Sequence, residues 1–473
     1  MPNPLPPTKI TPMYATGKFL HHLAPLLLVI ILVAAAGLRF YNLNWDNGTF
    51  AHPDERSTVA FYAPTIRWPT DPATLLEPRA STLNPFWDVQ NQSRRSYTYG
   101  HFPLYTLVLV ANLLSRLTPL ASWLELPPAI GQFLATSQSG HGYVQIGRAL
   151  MALADLATVY LLFLLGRRLY GLWAGLLAAA LSAFTVLQIQ LAHFFAVDPV
   201  STTFTLLALY GAILMYDRRS VGAAIITGVG IGLAVASKFS ALPIAFAPMV
   251  AAYLAMTHRQ PKPDNSSPKD QIPNLQSPTH RASVSNPQPA GHVSQIANRM
   301  IGLVLLSLGV AFVIFVATSP YVVLDFENFR QAVLVEQGQM VRGMADFPFT
   351  RQYRNTLAYW YFLEQQVRWG MGWPLGLLAM AGLAWVGIKA VRGQAQPGEW
   401  IVLWWIILYF GLTGLFLAKF MRYMVPVVPL FTLFGAGLVA ALWQWGNKAG
   451  EQASSRGSAR GGSKGAEEQE DPP

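Results

Sequence analysis

The 473-residue sequence contains no cysteine, which excludes disulfide bonds, a thiolate nucleophile and a cysteine-ligated metal. Charge is also scarce. Asp, Glu, Lys and Arg make up 12% of the residues, about half the share of an ordinary soluble domain, whereas hydrophobic residues make up 52%. A chain with this balance cannot expose most of its surface to water, so the composition predicts a polytopic membrane protein.

The formal net charge of +10 is a value that can indicate nucleic-acid binding. Here, however, the Lys and Arg residues are scattered at the ends of apolar segments, where such residues reach the membrane surface and set helix orientation. We therefore expect membrane lipids, and no nucleic acid, as partners. The first apolar run is too long for a signal-peptide core and lacks a small-residue cleavage site, so we expect a retained anchor.

Long apolar windows between charges predict the membrane-spanning helices, because about 20 largely apolar residues are needed to cross the hydrocarbon. Ten windows are long enough, which predicts an all-α bundle of about ten transmembrane helices. They cover residues 19–38, 148–166, 170–192, 199–216, 220–237, 239–257, 300–318, 371–388, 400–418 and 423–445.

An eleventh window, 102–115, is shorter. Cytoplasmic loops are enriched in Lys and Arg, so basic loops test whether this window crosses. If it does not cross, Arg167-Arg168, Arg218-Arg219 and the 258–299 loop all fall on the N-terminal, cytoplasmic side. We therefore predict an in-plane or re-entrant helix at 102–115, with both termini cytoplasmic in the plasma membrane. A second partial pass near 126–147 would give the same arrangement.

This topology divides the chain into a cytoplasmic N-terminus (1–18), a membrane-embedded domain (19–447) and a cytoplasmic tail (448–473). Within the domain, we expect two long outer loops with in-plane helices, at 39–147 and 319–370. Residues 259–296 and the tail contain few large apolar side chains, so burial cannot offset the entropy of ordering them. Both segments are predicted to be disordered.

Under this topology, a particular set of ionisable residues gathers on the outer face. Ionised groups near a bilayer are costly and therefore indicate function. The set comprises the carboxylates Asp54, Glu55, Asp198 and Glu336, the cations Lys238, Arg342, Lys419 and Arg422, and the histidines His52, His101 and His193.

Each member of this set also has a structural interpretation. The proline and two acids at 53–55 are typical of a helix start, since Pro fits the first helical position and acids favour the helix dipole. The cations could cap helices or contact lipid phosphates, and "HFFAVDP" (193–199) could be a simple helix break. A divalent-metal site is a further alternative, although the spacing matches no known ligand pattern. We expect no resident metal and no required cofactor.

Taken together, the outer-face residues have a chemical logic that single residues lack. Carboxylates on one side of a cavity can deprotonate a hydroxyl nucleophile, while Lys and Arg on another can neutralise a departing phosphate. A phosphate attached to a lipid would reach the cavity from within the bilayer. This combination predicts sugar transfer from a polyprenyl-phosphate donor.

The stretch "LRFYNLNWDNGTFAHPDERSTVAFY" (38–62) resembles the first outer loop of the GT-C-fold transferases that use lipid-phosphate sugars. Protein O-mannosyltransferases and the bacterial aminoarabinose transferase of lipid A, grouped in glycosyltransferase family 39, are the nearest in pattern. Further matches follow in the family's order, including "HFFAVDPVSTTF" (193–204), "ASKFSALPIAF" (236–246) and "KFMRYMVPVVPLF" (419–431). The likeness spans most of residues 20–445.

The resemblance implies an inverting glycosyltransferase, active at the outer membrane face on an undecaprenyl- or dolichyl-type phosphate sugar. It makes Asp54 the catalytic carboxylate, beside Glu55, and Asp198 the second acidic position. The acceptor stays open, because the family's acceptors range from protein Ser/Thr to lipid A and other cell-surface glycans.

By the same resemblance, three cations lie near the donor phosphate: Lys238, Lys419 and Arg422. The remaining outer-face residues are expected to support the site: His52, His101, His193, Glu336 and Arg342.

Two functions from other classes remain as alternatives. A transporter or flippase of lipid-linked sugars would show broken helices, charges at mid-membrane and an inverted repeat. The charges of this sequence instead cluster on one face, and no inverted repeat is evident. A non-catalytic lipid-binding assembly factor would tolerate replacement of the acidic pair.

Overall fold

The computed structural model describes residues 14–257 and 290–464, and it is built almost entirely from helices. The first helix and the four helices of the first long loop are α1 Tyr14–Phe40, α2 Pro53–Ser57, α3 Phe102–Arg116, α4 Thr118–Trp123 and α5 Pro128–Ala135. The central helices are α6 Gly140–Tyr170, α7 Leu172–Ala183, α8 Val186–Ala192, α9 Asp198–Arg218, α10 Val221–Ser237, α11 Ala247–Thr257 and α12 Ala290–Thr318.

The second long loop carries four short helices, and three long helices complete the described chain. They are α13 Tyr321–Leu324, α14 Phe326–Phe329, α15 Gln337–Arg342, α16 Trp360–Gln365, α17 Trp373–Val391, α18 Pro397–Thr413 and α19 Val428–Lys464. Short 3-10 or π turns cover Thr58–Tyr62, Ala63–Thr65, Pro72–Leu76, Phe239–Phe246, Arg330–Glu336, Pro348–Tyr353, Gln366–Gly370 and Met421–Met424. Two antiparallel two-residue strands, β1 Trp87–Asp88 and β2 Ser93–Arg94, pair Trp87 with Arg94.

Eight helices of the described residues are long and apolar enough to cross a membrane, or nine if the bent pair α7–α8 counts as one span. That pair bends by 59°, and two further apolar helices, α10 and α18, are shorter. Each of the ten predicted windows corresponds to one of these helices or helix pairs. The predicted all-α membrane bundle is therefore confirmed. The one additional candidate span is Phe102–Trp123.

Contacts between α1 and α6 show where the first long loop leaves and rejoins the bundle. Arg39 Nε lies 2.6 Å from Asp155, and four residues further on, the Leu43 carbonyl accepts a hydrogen bond from Arg148 at 2.6 Å. The chain advances along α1 while the contacting residues recede along α6, so the two helices are antiparallel neighbours. The loop between them, residues 41–139, therefore begins and ends at the same end of the bundle.

Both ends of α3 contact this same end. Gln138 Nε2 donates to Ser115 Oγ at 2.6 Å, which places the last turn of α3 beside the residues just before α6. Before its first turn, the Gly100 N–H donates to the Ser237 carbonyl at 3.2 Å, and a Cβ on Gly100 would overlap the Ala236 carbonyl. These contacts favour the predicted in-plane arrangement of 102–115 over a single crossing.

The other connections alternate between two ends of the bundle. We call the end with the first long loop the loop end; it also holds the connections 193–197, 319–372 and 414–427. At the opposite end, which we call the basic end, Arg168 pairs with Asp217 and Lys389 pairs with Glu399, each at 2.6 Å. The basic connections therefore separate from the candidate site residues, as the charge pattern predicted.

The main core runs through α6, α9, α18 and α19, where residues such as Leu162, Leu206 and Phe431 are fully buried. Helices at the rim instead leave large apolar side chains uncovered, as at Val33 and Phe312, each 65% exposed. Exposed aliphatic side chains on candidate spans are expected where lipid, not water, is the surrounding solvent. The bundle thus has a tightly packed centre, which supports the loops, and an outer surface of apolar side chains.

Two segments predicted to be disordered are helical where the structure describes them. Helix α12 begins at Ala290, so residues 290–296 form its first two turns, and α19 continues to Lys464, beyond the predicted boundary at 447. Both segments extend helices that already form in the bundle. Adding residues to an existing helix costs far less free energy than starting a new one, so the helical conformation continues into them. Residues 258–289, the first 13 residues and the last nine lie outside the described part of the chain.

Candidate active site

The first site residues lie on α2, whose start is set by its own sequence. Pro53 occupies the first helical turn, where its missing N–H has no partner to lose, and His52 Nδ1 accepts from the Glu55 N–H at 3.5 Å. The helix start suggested by the proline and acids is confirmed. It also fixes two successive carboxylates, Asp54 and Glu55, in different surroundings.

The Asp54 carboxylate is partly exposed, with 24% of its side chain accessible. Its Oδ2 accepts a hydrogen bond from the Tyr99 hydroxyl at 3.0 Å and forms an ion pair with the Arg422 guanidinium. Tyr99 comes from the first long loop and Arg422 from the connection before α19. The fold therefore brings two members of the predicted set, one acid and one cation, into contact at the loop end.

Glu55 lies in a closed environment on the other side of α2. It is fully buried, and its two oxygens accept hydrogen bonds from Arg148 at 2.9 and 2.6 Å and from the Phe195 N–H at 3.0 Å. Arg148 also contacts the Asp46 carboxylate at 2.9 and 3.0 Å. The predicted catalytic pair is therefore divided: Glu55 fastens α2 to α6, and Asp54 alone faces accessible space.

Asp198 and Lys238 form a second acid–cation pair. Asp198 opens α9, Lys238 follows α10, and Lys238 Nζ lies 2.5 Å from Asp198 Oδ1. Burial lowers the pKa of the Lys238 ammonium, but the Asp198 carboxylate outweighs burial, and the pKa lies above its ordinary value. Lys238 Nζ also lies 5.0 Å from the centre of the Tyr423 ring. Lys238, predicted as a phosphate ligand, thus has a resident counter-ion.

Lys419 contrasts with Lys238, because none of the ion pairs among the described residues includes it. The residue is 4% exposed, and its Nζ donates only a long hydrogen bond of 3.4 Å to the Leu417 carbonyl. Burial lowers the pKa of this ammonium. A buried cation without a counter-ion is costly. Lys419 is therefore a buried cation without an ion-pair partner among the described residues, three residues before Arg422 in the chain.

His52 lies among these charges, on the side of α2 that faces the 193–197 connection. Its ring stacks on Phe194 with centres 4.5 Å apart. Burial and the nearby Arg422 cation lower the pKa of His52 to about 4, although Asp198 opposes them. His52 is therefore neutral at ordinary pH and belongs to the same cluster as Arg422 and Asp198.

The other two predicted histidines, His101 and His193, lie in surroundings that give them structural roles. His101 is fully buried among aromatic rings, including Phe86 at 5.0 Å, and neither ring nitrogen has a hydrogen-bond partner among the described residues. Burial lowers the pKa of His101 to about 3, so it is a neutral core residue. The ring nitrogens of His193 lie 2.8 Å from the Ile189 carbonyl and 2.9 Å from the Tyr41 carbonyl. His193 therefore ties α8 to the end of α1.

Glu336 and Arg342 lie on the second long loop, outside the Asp54 contacts. Glu336 accepts hydrogen bonds from Arg94 and Ser96, each at 2.5 Å, and so joins the two long loops. Arg342 is exposed, and its Nε donates to the Gly338 carbonyl at 2.9 Å. Glu336 thus links the two long loops, whereas Arg342 bonds to a carbonyl of its own loop segment.

Sequence reasoning missed several residues of the site. Tyr99, the hydroxyl partner of Asp54, stays protonated because burial and the Asp198 charge raise its pKa well above its ordinary range. Arg148 was missed although an arginine at the start of an apolar window is a usable signal. Asp46, its second partner, has a pKa of about 2, because burial raises it less than the Arg148 guanidinium and the Ala51 and Gly48 N–H groups together lower it.

No group of three or more His, Asp or Glu side chains in the described ranges could hold a metal ion. The divalent-metal alternative therefore gains no support from these residues. The expectation that no cofactor is required stays a prediction.

The fold and the site define a polytopic helical membrane protein whose loops assemble acids and cations at one end. Residues 134–269, under a third of the chain, match the family model described as dolichyl-phosphate-mannose-protein mannosyltransferase. No curated protein sequence matches significantly.

Solved structures extend the likeness to nearly the whole chain. Archaeal oligosaccharyltransferase AglB from Archaeoglobus fulgidus, in complex with an inhibitory peptide and a dolichol-phosphate, aligns with a TM-score of 0.54 and 16% identity, covering 92% of this chain and 52% of that chain. ArnT from Cupriavidus metallidurans, bound to undecaprenyl phosphate, aligns with a TM-score of 0.51 and 17% identity, covering 87% and 59%. The chain thus spans between about half and three-fifths of these proteins.

At these identities the likeness establishes the fold. The chain has the GT-C fold that the sequence resemblance implied, and the family model that matches residues 134–269 agrees with that resemblance.

Proposed function

We propose that the protein is an inverting glycosyltransferase that moves a sugar from a polyprenyl-phosphate carrier to an acceptor hydroxyl at the loop end of the bundle. The observation that carries this proposal is the accessible Asp54 carboxylate in contact with Arg422, three residues from the unpaired Lys419. The GT-C fold and the mannosyltransferase family match support it. AglB and ArnT were solved with dolichol-phosphate and undecaprenyl phosphate.

The donor phosphate is assigned to Lys419 and Arg422. A phosphate oxygen beside Lys419 would supply the counter-ion that this buried ammonium lacks. Charge-assisted hydrogen bonds to phosphate are among the strongest that a guanidinium makes, so the same phosphate would compete with Asp54 for Arg422. Donor binding would thereby loosen the Asp54–Arg422 ion pair and leave the carboxylate free to accept a proton.

Asp54 then acts as the general base. The acceptor oxygen forms a bond to the anomeric carbon while the bond from that carbon to the phosphate oxygen breaks. The hydroxyl proton passes to Asp54, and the electron pair leaves with the phosphate, whose negative charge Lys419 and Arg422 stabilise. Attack opposite the departing phosphate inverts the anomeric carbon.

Two predicted site residues are assigned positioning roles. Glu55 holds α2 through Arg148, which fixes the backbone from which Asp54 projects. Lys238 is neutralised by Asp198 and lies against the Tyr423 ring, next to Arg422 in the chain. We therefore assign Lys238 to positioning the Tyr423–Arg422 segment and no longer to direct contact with the donor phosphate.

The loop end is assigned to the extracytoplasmic face of the plasma membrane. The arginine-rich connections after α6 and α9 lie at the basic end, and such connections favour the cytoplasm. A reporter that is active only outside the cytoplasm should be active when fused at residue 90 and silent when fused after Arg219. The reverse pattern would place the site in the cytoplasm.

The test of the proposed function is single-turnover transfer by the purified full chain, with a panel of undecaprenyl-phosphate sugars as donors and a cell-envelope extract as acceptor. Asp54→Asn keeps the size of the side chain and the helix start, and we expect its rate to fall by about 10²- to 10⁴-fold. Asp71→Asn is the matched control, because Asp71 caps a 3-10 turn in the same loop. A folded Asp54→Asn protein within about threefold of the parent rate contradicts the catalytic assignment.

A further inference from the structure

A cavity of about 1100 Å³ lies apart from the Asp54 cluster. Its walls come from the first-loop segments around 64–68 and 75–83, from α3, from the start of α6, and from the end of α12 together with α13. This volume lies at or above the roughly 300 to 1,000 Å³ of pockets that enclose small molecules. The cavity therefore has room for a ligand with a sizeable apolar part.

One face of α3 forms the longest wall of the cavity. The residues that line it are Tyr105, Val108, Leu109, Asn112 and Arg116, and their spacing of three or four places them on one side of the helix. The face changes along its length from apolar side chains to an amide and a guanidinium. A ligand along this wall would meet apolar contacts first and a cation at the far end.

Arg116 is joined at the cavity by Arg67 of the first loop. Both arginines are exposed, and none of the ion pairs among the described residues includes either of them. The amide donors nearby are already used: Asn112 Nδ2 donates to the Val108 carbonyl at 2.7 Å and Gln138 Nε2 to Ser115 at 2.6 Å. The two guanidinium groups are thus the cavity's uncommitted charged donors, and they complement an anion.

The cavity borders a surface that is unsuited to water. Leu109 on α3 is 59% exposed, and Trp68 and Leu76 of the first loop are 74% and 67% exposed. Trp is enriched where membrane meets water. An apolar rim beside two unpaired arginines fits an amphiphile that enters from the bilayer better than a soluble anion that enters from water.

An aromatic layer separates this cavity from the candidate active site. Tyr105 and Tyr321 line the cavity, and the His101 ring lies behind them, with its centre 5.5 and 6.2 Å from theirs. Tyr97 lies on the other side of His101, 6.1 Å away. None of the Asp54, Lys419 or Arg422 side chains lines the cavity. The cavity is therefore a second site and not an extension of the first.

We propose that this cavity binds an anionic membrane lipid, with its chains against the apolar face of α3 and the end of α12, and its phosphate-bearing headgroup between Arg67 and Arg116. The proposal does not depend on the glycosyltransferase assignment, because it rests on residues outside the Asp54 cluster. Binding at this site would also hold the first-loop segment around Arg67 against α3.

The experiment uses the full chain in nanodiscs made from equal parts of phosphatidylglycerol and phosphatidylcholine. Native mass spectrometry after transfer to detergent counts the lipids that stay bound. We expect the parent protein to retain phosphatidylglycerol over phosphatidylcholine. Arg67→Ala and Arg116→Ala should each reduce this preference by about fivefold, the effect expected of one cation on an anionic lipid.

Matched variants separate the headgroup from the chains. Arg392→Ala removes another exposed arginine at a helix end, remote from the cavity, and should leave the preference unchanged. Ala317→Trp fills the cavity from an exposed position, and we expect it to reduce retention of both lipids at this site. If an alanine variant melts early, Arg67→Lys with Arg116→Lys keeps both charges and should keep the preference.

Equal retention of the two lipids by the parent, or an unchanged preference in the Arg67→Ala/Arg116→Ala protein, overturns the proposal. Soluble glycerol 3-phosphate is the second probe. If it competes for the site as well as the lipid does, the apolar wall contributes nothing and the lipid assignment is wrong. The lipid-retention results do not depend on whether the parent or the Asp54→Asn protein transfers sugar. The lipid proposal and the glycosyltransferase proposal can therefore fail independently.

Discussion

Two neighbouring carboxylates, Asp54 and Glu55, each contact an arginine, yet the two ion pairs differ in almost every physical respect. The Glu55–Arg148 pair is completely buried, and both carboxylate oxygens accept hydrogen bonds from a guanidinium that also binds Asp46. The Asp54–Arg422 pair is partly exposed on both sides. The presence of an arginine beside an acid therefore does not reveal the role of the acid until the burial of the pair is known.

The difference has an energetic meaning. Removing one partner of a buried pair leaves an uncompensated charge and typically costs about 3 to 5 kcal/mol, whereas exposed pairs contribute about 0 to 1 kcal/mol. The pair of Glu55 can hold a helix in place but cannot exchange its partner. The pair of Asp54, which water partly reaches, can open at lower cost when another anion competes for Arg422, which is what a site for a phosphate-bearing donor needs.

The largest expected effect on stability comes from a variant that breaks the buried Glu55–Arg148 pair. Glu55→Gln should lower the free energy of unfolding by about 3 to 5 kcal/mol, because it leaves Arg148 under-compensated in a closed environment. Asp54→Asn should lower it by less than Glu55→Gln does, because water reaches both members of the Asp54–Arg422 pair. Thermal melts of both variants in one detergent test this contrast.

A double variant provides the control for that contrast. Glu55→Leu with Arg148→Met replaces both charges by apolar groups, and such replacements are often close to neutral. Asp46 then loses its partner too, so we expect partial recovery from the Glu55→Gln defect. Equal melting temperatures for Asp54→Asn and Glu55→Gln would show that the two pairs do not differ in stability.

The next effect concerns Lys419, which lies three residues before Arg422 of the partly exposed pair. Lys419→Ala should weaken binding of undecaprenyl phosphate by about 10- to 100-fold, since a hydrogen bond to a charged group contributes about 1.5 to 3 kcal/mol. Lys448→Ala at the basic end is the matched control. Affinity measured by microscale thermophoresis checks this, and unchanged binding would exclude Lys419 from the phosphate site.

The smallest effect depends on pH and concerns His52, beside the exposed pair. Its pKa of about 4 in the folded protein lies below the ordinary value of 6.5, so the unfolded chain binds the proton more tightly. Stability should therefore fall as pH falls from 6.5 to 4. The ring is only partly buried, and we expect a drop in melting temperature of about 2 to 4 °C. His52→Gln should lose this pH dependence, whereas His141→Gln, on the exposed face of α6, should keep it.

The fold followed from apolar windows because membrane helices must satisfy their backbone internally, so length and hydrophobicity suffice to find them. The site was harder to predict from the sequence. Asp54, Lys419 and Arg422 belong to segments with a recognisable family pattern, but the division between Asp54 and Glu55 depends on Arg148, 93 residues away in sequence. His101 and His193 were expected beside the other candidate residues and do lie at the loop end, but their roles depend on packing against rings and carbonyls that one sequence does not reveal.

The Arg39–Asp155 contact has a consequence for biosynthesis. Arg39, at the end of the first anchor helix, is fully buried, and its partner lies 116 residues later in α6. An arginine exposed to hydrocarbon costs about 2.5 to 3.5 kcal/mol on insertion scales. At about 5 to 20 residues per second, the ribosome delivers the partner several seconds after the anchor has emerged. Until α6 arrives, we expect Arg39, in the last turn of the first helix, to reach towards the headgroups, and the helix takes its final position only when Asp155 becomes available.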